Sequence, residues 1–297
     1  MKIKDIFTDG VRRLKQVGII KSELEVSLLL ADLLNIDRTT LLLAEDRTLD
    51  AGQLEKFEKN ILRRLQREPL AYIVEEKEFW SLPFKVSKDV LIPRPETELL
   101  IEITLKTVKS LFENPDERTM KIMDLGTGSG IIAIVLALEL PAAAVTAIDF
   151  SYNALKVAKH NAKRHEVNER IHFVNCDWFG GISSRAEYDL VLANPPYIAR
   201  DIIEKPFGAT CESLQPEVLG YEPHLALDGG ERGIQSIIRI AEDLGKRLKS
   251  GGWFIMEIGA DQAEDVSGIF RETAQYKTIA IHNDYAGLPR VFQAKKQ

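Results

Sequence analysis

The chain is short of cysteine, of histidine and of long apolar runs, and each shortage removes a class of explanation. Its 297 residues include two cysteines, Cys176 and Cys211. They form no CxxC pair and no disulfide framework, so a reducing compartment is expected, and Cys176 reads as a small buried residue. The histidines at 160, 165, 172, 224 and 282 form no pattern with the motifs below, and no metal site is expected. The most apolar segment, Ile131 to Leu140, is too short to span a bilayer and carries Glu139. The opening Met1-Lys-Ile-Lys-Asp5 is charged and lacks the apolar stretch of a signal peptide. A cytoplasmic protein without membrane contact is therefore expected. The formal net charge of −6 argues against a chain whose main business is wrapping nucleic acid, although a local basic patch remains open. No internal repeat or low-complexity tract is present.

What is there falls into two textures, as the length allows. From about Ile3 to Arg67 apolar residues recur at helical spacings, for example Val11, Leu14, Val17 and then Leu24, Leu28, Leu29, Leu33. Ser22 followed by Glu25 has the form of a capping box opening the second helix. Arg63, Arg64 and Arg67 read as a solvated helix face, with a partner contact as the alternative. Glu78 to Val86 is aromatic and β-branched with a turn near Ser81, which predicts a β-hairpin. A helix from about Thr97 to Phe112 follows. Beyond Met120, strands at 121–125, 144–148, 171–175, 189–193, 252–258, 278–282 and 290–293 alternate with helices, including 131–140, 152–165 and 234–248. That alternation predicts a mainly parallel sheet with helices on both faces, and ligands at the C-terminal strand ends. The expected domains are a helical one over 1–75, a hairpin linker over 76–95 and an α/β domain over 96–297.

Asp124-Leu-Gly-Thr-Gly-Ser-Gly130 lies between the first strand and first helix of the α/β part. Gly126, Gly128 and Gly130 let the backbone turn sharply and approach a ligand, with Thr127 and Ser129 between them. A dinucleotide fingerprint wants its third glycine where Ile131 stands, and a P-loop wants a Gly-Lys pair that is missing. Acids instead accompany the loop. Asp124 precedes it, Asp149 ends the next strand where an acid grips ribose hydroxyls, and Asp177 ends the third beside Trp178. Three acids around one pocket would repel a pyrophosphate. They suit a ribose, an adenine amine and an ammonium or sulfonium charge, which describes S-adenosylmethionine.

The fourth strand, Tyr188-Asp-Leu-Val-Leu-Ala193, runs into Asn194-Pro195-Pro196-Tyr197. Two prolines remove two N–H donors and fix φ, so the strand stops in a stiff turn. An Asn oxygen and a proline carbonyl can each accept one hydrogen of a planar NH₂ group, with the tyrosine ring nearby. A methyl donor and an NH₂ clamp at one sheet edge imply methyl transfer to an amide or exocyclic amine.

With these motifs the chain resembles the HemK/PrmC family, the release factor glutamine methyltransferases, over nearly its whole length. The resemblance rests on Arg67-Glu-Pro-Leu-Ala71, Glu78-Phe-Trp80, Ile92-Pro-Arg-Pro-Glu-Thr-Glu98, Asp124 to Gly130, Asp177-Trp178-Phe179, Asn194 to Tyr197, Tyr221-Glu-Pro223 and Asp284-Tyr285. The Ile92–Glu98 segment is the more specific marker, because the Asn-Pro-Pro-Tyr turn also occurs in amine-modifying DNA and RNA methyltransferases. The resemblance implies a Rossmann-like class I methyltransferase domain behind a helical substrate-recognition domain. It also implies methylation of the glutamine amide nitrogen in a Gly-Gly-Gln loop of peptide chain release factors. By position, Gly126 to Gly130, Asp149, Trp178 and Asn194 look like the methyl-donor site, and Asn194 to Tyr197 like the glutamine site. The family usually has glycine where this chain has Glu75, which puts the hairpin's local turn geometry in doubt, but not the cleft.

No strong base is apparent, so catalysis is expected mainly by positioning, with Asn194, Pro195 and Tyr197 as its residues. Rival substrates are a ribosomal-protein glutamine or, less favoured by the acidic balance, a nucleic-acid amine. A non-catalytic adaptor is a third alternative, disfavoured by the intact loop beside the intact clamp. A monomer is expected, with no direct nucleic-acid partner. The segment from Asp201 to Leu219, rich in proline and polar residues, reads as a loop over the cleft.

Overall fold

A computed structural model of the chain describes residues 1–111, 119–183, 185, 187–205 and 214–297. Cys211, Phe112 and residues 206–213 of the expected cleft loop lie outside the described residues. The described chain forms two compact units, residues 1–76 with 215–221, and residues 77–214 with 222–297.

The first unit is helical: α1 (Ile3–Gln16), α2 (Ser22–Leu34), α3 (Arg38–Leu43), α4 (Ala51–Leu65) and α5 (Leu70–Ile73). Leu14, Val26, Leu29, Leu30, Phe57 and Ile61 fill its core. The expected capping box at Ser22 and Glu25 does not form. Lys21 is the N-cap, the Ser22 hydroxyl is buried without a hydrogen-bond partner, and Glu25 instead accepts from Arg64 at 2.5 Å. The box that does form is Asp50 with Gln53 at the start of α4. The basic face at 63–67 also proves to be something else. Arg64 is buried between Glu25 and Glu217, and Arg67 reaches both Glu217 and the Val17 carbonyl. These charges tie residues 215–221 to α4 within this unit, because a guanidinium leaving water needs paired carboxylates. Glu75 sits at φ +57, in the left-handed region where a Cβ is crowded and glycine would fit without strain.

The second unit, from Lys77, takes in the hairpin of β1 (Glu76–Phe79, its first residue in the first unit) and β2 (Leu82–Lys85), its turn at Trp80 and Ser81 with positive φ at both, as a two-residue hairpin turn requires. Then come α6 (Thr97–Leu111), β3 (Lys121–Leu125), α7 (Ile131–Glu139), β4 (Ala144–Asp149), α8 (Tyr152–Arg164), β5 (Ile171–Asn175) and β6 (Tyr188–Ala193). Short helices α9 (Arg200–Glu204), α10 (Pro216–Tyr221, in the first unit) and α11 (His224–Leu227) precede α12 (Gln235–Leu244). The chain ends with β7 (Leu248–Glu257), α13 (Ala263–Glu272), β8 (Tyr276–Asn283) and β9 (Pro289–Lys296).

Seven strands make one sheet in the order β5-β4-β3-β6-β7-β9-β8, parallel except for the pairings of β9 with β7 and β8. Its central strands are buried on both faces and so read as continuous apolar runs. Leu100, Ile134, Val135 and Ala162 from α6, α7 and α8 cover one face. Ile237, Leu244, Val266 and Phe270 from α12 and α13 cover the other. The helix expected to reach Leu248 stops at Leu244, because Leu248 already pairs with Tyr188 and the Gly251-Gly252 pair lies inside an irregular β7. Helix α13 goes beyond the expected elements, although Val266 and Phe270 carry its spacing. No helix among the described residues is long and apolar enough to cross a membrane.

Candidate active site

Sheet order locates the site. From β3 the chain winds outward to β4 and β5, then crosses back to β6 on the other side of β3. The crevice at such a reversal, at the carboxyl ends of the strands, is where open α/β sheets take ligands. Leu125 pairs with Ala193, so the glycine loop and the Asn-Pro-Pro-Tyr turn leave adjacent strands side by side. A cleft of about 490 Å³ lies there, lined in part by Gly126 to Ser129, Asp149, Phe150, Trp178, Asn194 and Pro196. That volume falls within the roughly 300–1,000 Å³ usual for small-molecule sites.

The loop is held mostly by itself and by β4. Thr127 N donates to the Ile148 carbonyl at 2.8 Å, and Gly130 N to Thr127 O at 2.8 Å. Gly130, at φ +86, starts α7 where a Cβ would lie 3.1 Å from that of Ala158, so helix α8 packs directly on its backbone. Of the three expected acids, two line the cleft. Asp149 accepts from Gly128 N and Ser151 N, both at 2.8 Å, one on each oxygen, while burial pushes its carboxyl up. Asp177 stands at the rim, paired with Arg239 at 2.5 Å. Asp124 lies beneath the loop, away from the cleft wall, because strand β3 directs it into the protein. One of its oxygens accepts from Thr127 Oγ1 at 2.6 Å and Ala133 N at 3.2 Å; the other is buried with no partner. Burial pushes this carboxyl up to about 7.

The turn after β6 is held from a distance. Asn194 Nδ2 donates to Glu257 Oε2 at 3.0 Å and Thr97 Oγ1 at 3.2 Å. Tyr197 turns its hydroxyl inward to Glu257 Oε1 at 3.1 Å, so its ring lies behind the cleft wall formed by Asn194 and Pro196. Burial and the neighbouring Glu257 push the phenol upward. Gln262 Nε2 donates to the Tyr197 carbonyl at 2.9 Å. Among the described residues, Asn194 Oδ1 and the Pro195 carbonyl have no hydrogen-bond partner.

Residues 5–74 match the family of the PrmC N-terminal domain, and residues 102–208 that of the methyltransferase small domain. A release factor glutamine methyltransferase of Koribacter versatilis is 37% identical over 296 residues, covering 100% of this chain and 99% of that protein. The chain belongs to the release factor glutamine methyltransferase family. A protein of Rickettsia bellii named bifunctional methyltransferase is 38% identical over 311 residues, covering 98% of this chain but 54% of its own length. In fold, the chain resembles the human METTL16 catalytic domain, solved with an RNA hairpin (TM-score 0.56, 16% identity, 82% of each chain covered).

As a member of this family the chain is an S-adenosylmethionine-dependent methyltransferase, and its own residues fit that donor. Asp149 keeps free lone pairs on both oxygens for a vicinal diol. Exposed Phe150 and the Trp178 ring, 3.9 Å from where a Gly126 Cβ would stand, offer flat apolar surfaces. Asp124, by contrast, stays buried beneath the loop with one oxygen unpartnered and takes no part in the cleft wall. Glu257, Thr97 and Gln262 join the site of this methyltransferase without having been expected there. Thr97 stands inside the Ile92–Glu98 marker segment. Glu257 is a lone acid ending an apolar strand, which is a signal in itself, since an acid there must be satisfied by something.

Proposed function

We propose that this enzyme transfers a methyl group to the side-chain amide nitrogen of the glutamine in the Gly-Gly-Gln loop of peptide chain release factors. The observation that carries the reading is the pair of unpartnered acceptors, Asn194 Oδ1 and the Pro195 carbonyl, in the turn that ends the strand beside the glycine loop. A primary amide has two N–H donors to match them. The name of a relative similar over the whole chain points to the same substrate.

Bound, S-adenosylmethionine supplies an electrophilic methyl group; Gly126 to Gly130, Asp149, Asp177 and Trp178 would hold it. The amide nitrogen is a poor nucleophile because its lone pair is delocalised into the carbonyl. Asn194 and Pro195 would fix both hydrogens, orient the lone pair out of plane and favour density on nitrogen, while Pro196 lines the cleft wall. Such positioning lowers a barrier by several kcal/mol, on the order of 7–11 kcal/mol at best. A protonated amide nitrogen is strongly acidic and sheds its proton to water, so no side-chain base is needed. The helical unit would recognise the release factor, and the enzyme would act as a cytoplasmic monomer without a nucleic-acid partner.

Label transfer from radioactive S-adenosylmethionine tests the reading. A release factor, its Gln-to-Ala variant, ribosomal proteins and DNA are offered in parallel. Label on the intact release factor alone supports it; label on the Gln-to-Ala variant, ribosomal protein or DNA overturns it.

A further inference from the structure

Glu257 ends β7, whose Met256 pairs with Ala193, so its side chain stands next to Asn194. It is 1% exposed, and its neighbourhood is crowded with donors. Oε2 accepts from Thr97 Oγ1 at 2.7 Å and from Asn194 Nδ2 at 3.0 Å, and Oε1 accepts from Tyr197 Oη at 3.1 Å. Burial pushes its carboxyl up, against which the bonds from Thr97 and Tyr197 and the nearby Arg290 favour its charge. In all three bonds the carboxyl only accepts, which is what a carboxylate has to offer.

We propose that Glu257 is a positioning residue for methyl transfer, which with Thr97 fixes the Asn194 amide nitrogen-inward and therefore oxygen-outward. The inference rests on the amide-substrate reading above. A carboxamide has almost the same shape after a half-turn about its terminal bond, and shape alone cannot decide which atom faces the cleft. The chemistry of the clamp requires one answer. With oxygen outward, Asn194 accepts a hydrogen from the substrate NH₂. With nitrogen outward, two NH₂ groups would face each other and the nucleophile would be repelled. A buried carboxylate behind the amide makes the first orientation a charge-assisted bond and the second a clash of lone pairs. Glu257 itself stays behind Asn194 and takes no proton from the substrate.

Three variants and one spectrum test this. Glu257→Met conserves volume and removes both acceptors; turnover should fall about a hundredfold, with the affinity for S-adenosylmethionine within about twofold. Glu257→Gln can still offer one oxygen to Asn194 and Thr97, and should recover most of that loss. In an Asn194→Ala background, Glu257→Met should cost nothing more, because its effect passes through the missing amide. Additive losses would overturn the proposal, as would wild-type turnover in Glu257→Met. Should Glu257→Met fail to fold, Thr97→Val replaces it, with a smaller expected loss that Thr97→Ser restores; a loss that Thr97→Ser leaves unrestored would overturn the proposal. Nitrogen-15 spectra need no substrate: the Asn194 side-chain NH₂ should exchange slowly in the wild type and rapidly in Glu257→Met or Thr97→Val. Equal exchange in wild type and variant would overturn the lock even if no methyl acceptor were known, and failed transfer by the wild-type enzyme would count against the substrate reading alone.

Discussion

The glycine loop after β3 and the Asn-Pro-Pro-Tyr turn after β6 leave adjacent strands, yet different forces hold them. The loop is local. Its bonds run within residues 124–133, to β4 and, through Asn161 Nδ2 at the Ser129 carbonyl, to α8, and its shape comes mainly from glycine backbone and one buried aspartate. The turn is held by Thr97, Glu257 and Gln262, each more than sixty positions away in sequence. A donor site can be encoded in a short stretch because it needs mainly backbone shape. A site that must orient one amide needs a partner of fixed charge behind it, and only the folded sheet brings that partner up.

Substitutions can separate the two halves. The largest effect is expected at Asn194. Asn194→Ala should lower turnover by a hundredfold or more while leaving donor affinity nearly unchanged, which steady-state kinetics and donor titration will resolve. Gly130→Ala should do the reverse in kind. A Cβ at φ +86, pressed against Ala158, should cost about 2–4 kcal/mol of stability and weaken donor binding, as calorimetry would register.

The contrast explains what is legible in the sequence. The strand alternation, the glycine loop, Asp149 and the proline turn are short-range patterns, and the structure places them at one switch point. Arg64 looks like a surface cation because nothing nearby in sequence reveals Glu217. Ser22 and Glu25 have the letters of a capping box, but Arg64 competes for the glutamate. Tyr197 is expected to stand beside the substrate, and the buried Glu257 draws its hydroxyl the other way. Each departure involves a charge or hydroxyl whose partner lies far along the chain.

Two smaller effects sharpen the local side. Asp124 has a folded pKa of about 7, against about 3.9 for an ordinary aspartate. The folded state therefore binds its proton more tightly than the unfolded chain. Stability from this group is present below the unfolded pKa and is lost as pH rises through the folded one. Without donor, the wild type should lose about 2 kcal/mol between about pH 5.5 and about pH 8 on this account, and Asp124→Asn should not. Urea melts at both pH values would measure it. Smallest of all, Glu75→Gly should stabilise the chain by on the order of 0.5–1 kcal/mol, since glycine takes φ +57 without strain. A loss of stability in a melting experiment would mean that the Glu75 side chain contributes more than its backbone costs.

The central claim is that the cleft grips an amide NH₂ and aims it at a methyl donor. Tandem mass spectrometry of a release factor incubated with enzyme and S-adenosylmethionine tests it most directly. One methyl group on the glutamine side-chain nitrogen, lost with Asn194→Ala, is the predicted result. A methyl group on any other atom, or the same modification by Asn194→Ala at the wild-type rate, would contradict it.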